Sequence, residues 1–152
     1  MWYCNDFDHM SGELVNAIVE NSMSDKVDST RPYKINFDNV ETYLYALQES
    51  GSISDIYVKN WREYFKTCQA NFELEPQYEG PANGFEYEFI FRSQDYRVQF
   101  EKHDEVKVTD VQIDKNKAIA TVEFEGGSIY KYELSKSHND WFIDSIKGEW
   151  EN

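Results

Sequence analysis

The sequence predicts an α+β fold in which N-terminal helices pack on a strongly curved antiparallel sheet. Apolar residues recur at helical spacing through the first half of the 152-residue chain and alternate through its last third. The alternation also slips phase at two points, as it does where a strand bends. A chain of this length is expected to form one domain, 1–152, and to bury about two thirds of its unfolded surface.

Residues 1–10, MWYCNDFDHM, form a loose terminus, and Ser11 can cap a helix over 12–23 with Leu14, Ala17, Ile18 and Asn21 along one side. SMSDKVDSTRPYK, 22–34, is polar, contains a proline and reads as a loop. Asp38 is placed to cap NVETYLYALQES, where Val40, Tyr43, Leu44 and Leu47 form a stripe that Gly51 terminates. Ser54 caps the strongest helix, DIYVKNWREYFKTCQANF. Its Tyr57, Trp61, Tyr64, Phe65, Cys68 and Phe72 follow helical spacing, while Lys59, Arg62, Glu63 and Lys66 lie off that face.

ELEPQYEGPANG, 73–84, holds two prolines and two glycines and reads as a loop. Period-two alternation predicts a strand over 85–91, with Phe85, Tyr87, Phe89 and Phe91 on one face. A meander follows. In EVKVTDVQID, 105–114, Val106 and Val108 hold one parity and Val111 and Ile113 the other, so a bulge is expected near Thr109-Asp110. Lys115-Asn116-Lys117, Glu125-Gly126-Gly127 and Ser137-His138-Asn139-Asp140 are turns. Between them, Ala118, Ala120, Val122 and Phe124 face one way, and Tyr130, Tyr132 and Leu134 point inward. In the last strand Trp141 and Ile143 share a parity that Ile146 breaks, which places a second bulge near Asp144-Ser145. Trp61, Phe65, Val122, Tyr132 and Ile143 are expected to be buried.

Composition narrows function more by exclusion than by assignment. Aromatics are 16% of the chain, which argues against disorder throughout. Fifteen basic against 29 acidic residues give a net charge of −14. That charge repels nucleic acid and anionic membrane and steers toward cationic partners, unless it serves solubility alone. No apolar run approaches the ~18 residues that span a bilayer. The first residues lack a basic and apolar leader pattern, so the expected compartment is the cytoplasm, or the periplasm or exterior if a leader was removed. Cys4 and Cys68 do not decide between these; Cys68, on the apolar helix face, reads as a reduced buried thiol.

No catalytic or metal-binding pattern stands out, and no cofactor is implied. His9, His103 and His138 are scattered, no cysteine pair has metal spacing, and no nucleophile elbow or P-loop is present. A roll of helices and sheet can enclose a pocket in which a raised-pKa carboxyl moves protons, and Tyr57, Tyr64, Tyr130, Tyr132 and Asp144 are candidates to line one. The acidic signal is more organised. Glu73, Glu75, Glu79, Glu86 and Glu88 interleave with Tyr78, Phe85 and Tyr87, a pattern suited to docking a basic protein surface or simply to solvation.

Three stretches, GSISDIYVKNWREYFKTC (51–68), EFIFRSQD (88–95) and AIATVEF…YKYELSKSHNDWFIDSI (118–146), resemble an uncharacterised bacterial family of small exported or polymorphic-toxin-associated proteins. Helices followed by a bent meander ending in W-x-I-x-x-I are similar to the cystatin-like α+β roll of the nuclear transport factor 2 superfamily. The resemblance implies an immunity protein that neutralises a cognate bacterial toxin, such as a nuclease, by covering a basic surface. It carries over no catalytic residues. A small-ligand binder or isomerase-like enzyme using the roll's pocket, or an exported protein of another role, are the alternatives.

Overall fold

The computed structural model describes residues 17–21, 28–85, 89, 102–124 and 126–149. The expected terminus at 1–10 and most of the strand expected at 85–91 lie outside these residues. In chain order the elements are β1 (Val19–Glu20), β2 (Lys34–Ile35), α1 (Phe37–Glu49), α2 (Asp55–Leu74), a 3-10 turn (His103–Glu105), β3 (Lys107–Asp114), β4 (Lys117–Glu123), β5 (Ile129–Ser137) and β6 (Asp140–Gly148). The class is α+β. β1 and β2 form a two-stranded antiparallel sheet, and β3-β4-β5-β6 form an antiparallel meander in that order.

The first helix reading needs correction. Ala17 and Ile18 are helical, but Val19–Glu20 is a strand paired with Lys34–Ile35, so neither the 12–23 helix nor the 22–34 loop has the bounds expected. The β-branched Ile18 and Val19 are buried together with Ile35, and Asn21 at φ 71° cannot continue a helix. The Asn21 amide donates to the carbonyls of Asp28 and Arg31 and accepts from the Asp28 N–H, closing the connection between the strands.

The cap of α1 is Asn36 rather than Asp38. Asn36 has extended φ and ψ, and its side-chain oxygen accepts from the Asn39 N–H at 3.1 Å. Asp38 lies in the first turn, where its charge faces the positive end of the helix. Val40, Tyr43, Leu44 and Leu47 are buried, and Gly51 takes the left-handed φ of 71° that ends the helix. Ser54 caps α2 as expected, accepting from the Tyr57 N–H at 3.2 Å.

The short link between the helices is tied to the sheet. The Ile143 N–H donates to the Ser52 carbonyl and the Ser54 N–H donates to the Ile143 carbonyl, which fixes the start of α2 against β6. One apolar cluster joins α1, α2, β1 and β2, with Phe89 among them. A second gathers Val122, Phe124 and Tyr130, and Ile146 packs against both. Phe65 and Val122 are buried as expected; Trp61, Tyr132 and Ile143 are only half-buried. Phe89 sits in a turn, not a strand, and still enters the core against Trp61 and Phe65.

Both bulges fall where the parity slips. The register between β3 and β4 shifts between Val108 and Asp110, and that between β5 and β6 shifts so that Asp144 is the extra residue. The strong curl expected of the sheet is not present. A helix must lie along a sheet for the sheet to wrap it, whereas of the four meander strands α2 packs chiefly on β6, and every residue of β3 is exposed. Trp141, Phe142 and Ile143 are each half-buried, so neither face of this apolar run is fully covered.

Candidate functional site

The candidate surface begins at the last turn of α2. Pro76 cannot continue the helix and restricts the residue before it, and Glu75 is the C-cap, its N–H donating to the Asn71 carbonyl at 2.8 Å. The chain then forms a loop fastened at several points. Gln77 is its clamp: its amide nitrogen donates to the carbonyls of Pro81 (2.6 Å) and Glu79 (3.2 Å), and its amide oxygen accepts from the Asn83 N–H (3.0 Å). The Gln77 carbonyl accepts from the Tyr33 N–H at 2.7 Å, and the Tyr33 hydroxyl donates to Gly80 at 2.8 Å. Tyr33 is itself buried edge-on to Phe72. At the far end the Tyr64 hydroxyl donates to Gly84 at 2.6 Å. A loop held in this way loses little freedom when something binds it.

This frame presents Glu73, Glu75, Tyr78 and Glu79 to solvent, four of the residues expected to bind a partner. Tyr78 is 40% exposed. The Gln69 amide donates to the Glu73 carboxylate at 2.7 Å, which orients it on the helix surface. Leu74 joins them at 81% exposure. Sequence reasoning passed over Leu74, although a residue two positions beyond Phe72 falls off the buried spacing of α2 and is signalled as outward-facing.

Phe85 does not belong to this surface. It is half-buried, stacked on Phe65 at 6.1 Å and edge-on to Phe89 at 5.5 Å, so it completes the core instead. Glu86, Tyr87 and Glu88, the other three expected partner-binding residues, lie outside the described residues.

The electrostatics of the surface oppose local stability. The last turn of α2 has no basic residue, and Glu73 and Glu75 lie at the negative end of the helix dipole. A carboxylate there costs about 0.3–1 kcal/mol relative to a neutral residue. A cation brought to the same place is favoured by the dipole and by the carboxylates together.

A second concavity lies between α2 and β6. Tyr57, Asn60, Trp61 and Tyr64 face Asp144, Ser145, Ile146 and Lys147 across a cleft of about 170 Å³. Three of the five residues expected to line a pocket, Tyr57, Tyr64 and Asp144, meet here. Tyr130 and Tyr132 belong to the other apolar cluster, where burial, with the neighbouring Tyr130, pushes the Tyr132 hydroxyl up to about 12.

Asp144 is not the raised-pKa carboxyl that proton transfer would want. Burial pushes its pKa up, but hydrogen bonds from Lys117, Ser54 and Ser135 and the Lys117 charge outweigh that and hold it below the ordinary range. Lys117 Nζ lies 2.9 Å from one carboxylate oxygen, and Ser135 Oγ lies 2.8 Å from the other. This is an ion pair that seats the β6 bulge. Glu133 nearby is likewise engaged by Lys147 and Ser145, which lower its pKa.

No protein-family model, curated protein or solved structure matches the chain. Among the described residues no group of His, Cys, Asp and Glu is arranged to hold a metal ion, and no helix is long and apolar enough to cross a membrane.

Proposed function

We propose that this protein is an acidic binding domain whose segment 73–79, the end of α2 and the loop that follows it, docks on a basic surface of a partner protein. The observation that carries this reading is the fastened loop after α2, which holds Tyr78 exposed beside Glu75 and Glu79, next to Leu74 and Glu73 at the negative end of the helix. Apolar anchors ringed by charge are the usual make-up of an interface hot spot, and carboxylates that work against their own helix suit a cationic partner. The partner implied by the family resemblance is a cognate bacterial toxin, covered sterically and electrostatically so that substrate is excluded. The cystatin-like roll is part of that same resemblance.

The test uses the product of the neighbouring gene as the candidate partner. Association should be fast at low ionic strength and slow markedly as salt rises. Reversing Glu73, Glu75 and Glu79 to Lys should act chiefly on the association rate, and Tyr78→Ala chiefly on dissociation, by ~2 kcal/mol for an anchor residue. Binding that is unchanged in the triple variant and insensitive to salt would rule out this surface.

A further inference from the structure

Among the described residues β3 has one neighbour in the sheet, β4, and all eight of its residues are exposed. Residues directly opposed across an antiparallel ladder point to the same face. Val108, Val111 and Ile113 oppose Val122, Ala120 and Ala118, so the bulge brings all three β3 residues onto the apolar face. There they stand 62%, 52% and 64% exposed. The opposite face carries Asp110, Gln112 and Asp114, opposing Thr121, Ile119 and Lys117. A hollow of about 400 Å³ walled by Asp104, Glu105, Lys107, Glu123 and Phe124 adjoins the start of the strand.

An outer strand of this length with an apolar row is a template for another strand. Its charges select which one. Pairing with a second copy centred on Gln112 would set Asp110 against Asp114 twice, and centring on Asp110 would set that carboxylate against itself. Centring on Val111 or Ile113 avoids this but sets an aspartate against Gln112 rather than against a cation. The net charge of −14 opposes self-association further. An incoming strand with basic side chains opposite Asp110 and Asp114 and apolar ones opposite Val111 and Ile113 meets both faces with its complement.

We propose that the outer edge of β3 binds an extended segment of a partner protein with the pattern basic–apolar–any–apolar–basic. The pattern reads the same in both directions, so it holds for parallel and antiparallel addition. Backbone hydrogen bonds supply attachment, and the alternation fixes register. This surface does not rest on the segment 73–79, and the two are separable by mutation.

The probe is a short labelled peptide containing Lys-Val-Thr-Val-Lys, offered to the full chain and followed by fluorescence anisotropy and by amide NMR shifts. A control peptide of the same composition in the order Lys-Lys-Val-Val-Thr carries the same charge without the alternation. The patterned peptide should bind about tenfold tighter than the scrambled one, as several matched cross-strand pairs would give. Shifts should concentrate on β3. The variant Asp110→Lys/Asp114→Lys should lose this preference and take Glu-Val-Thr-Val-Glu instead, a reversal that an unfolded variant could not produce. Equal affinity for the patterned and scrambled peptides overturns the proposal, as do shifts confined to 73–79. Dimerisation through β3 in the absence of peptide overturns it in favour of a second copy.

Discussion

Phe65 and Trp61 lie one helical turn apart on α2, and the structure ranks them against the order of their size. Phe65 is fully buried, with the rings of Phe89, Trp61, Tyr64 and Phe85 at 5.3, 5.8, 5.9 and 6.1 Å. Removing its ring leaves a closed void, and such changes cost about 3–5 kcal/mol. Trp61 touches Tyr57, Tyr64, Phe65 and Phe89 but is half-buried and opens onto the cleft toward β6. Trp61→Ala widens an open cleft that water can fill. It therefore loses contact and transfer energy without a sealed cavity, about 1.5–3 kcal/mol. Urea unfolding followed by circular dichroism, with the slope checked for constancy, measures both. Phe65→Ala should be the more destabilising. An equal or larger loss for Trp61→Ala, or a loss below ~1 kcal/mol for Phe65→Ala, would refute this account of the core.

Gly84 sits at φ 87°, and a Cβ there would lie 2.9 Å from the Tyr64 hydroxyl oxygen, so Gly84→Ala should cost about 1–3 kcal/mol by thermal unfolding. Asp144 is held below the ordinary carboxylate range, so its contribution is present above the unfolded value near pH ~4 and is lost as pH falls through the folded value. Asp144→Asn should shrink the difference in urea midpoint between about pH 7 and about pH 3, and an undiminished difference would contradict the ion-pair assignment. Tyr132, pushed up to about 12, has the opposite sign: its contribution is present below the unfolded value and lost as pH climbs toward 12, so Tyr132→Phe should flatten the alkaline limb of the same curve. Glu75→Lys should raise stability by about 0.3–1 kcal/mol at low salt, by setting a cation at the end of α2, while weakening capture of a basic partner.

What was legible in the sequence was local. Ser54, the stripe of α2 and both bulges are set by residues close to one another along the chain, and each appears where the parity or the cap placed it. The misreadings depend on partners distant in sequence. Val19–Glu20 turns from helix to strand because Lys34–Ile35 pairs with it, and Asn36 displaces Asp38 as cap at the point where its own N–H bonds to Ile18. Alternation showed that Val111 and Ile113 share a face but could not show that the face is open. In the candidate site, charge alone marked Glu73, Glu75 and Glu79. Parity put Phe85 on one face with Phe89, and both enter the core; the interleaving of Phe85 with glutamates is what misplaced it at the docking surface. The Gln77 clamp was invisible because its acceptors are backbone carbonyls.

The two surfaces make different demands on the same acidic composition. At the end of α2 the carboxylates are set against the helix dipole, so they lower stability where they stand, and the chain adds a clamp and a buried tyrosine to hold the loop around them. Along β3 the two aspartates leave the apolar row open while setting like charges against a second copy in the registers centred on Asp110 and Gln112. Solubility alone would be served by carboxylates placed anywhere, including the first turns of helices, where they would also stabilise. Placing them at a helix C-terminus and on an outer strand forgoes that gain. On the proposed reading these carboxylates serve recognition of a cationic protein surface, whereas Asp38 and Asp55, in the first turns of α1 and α2, serve the helices themselves.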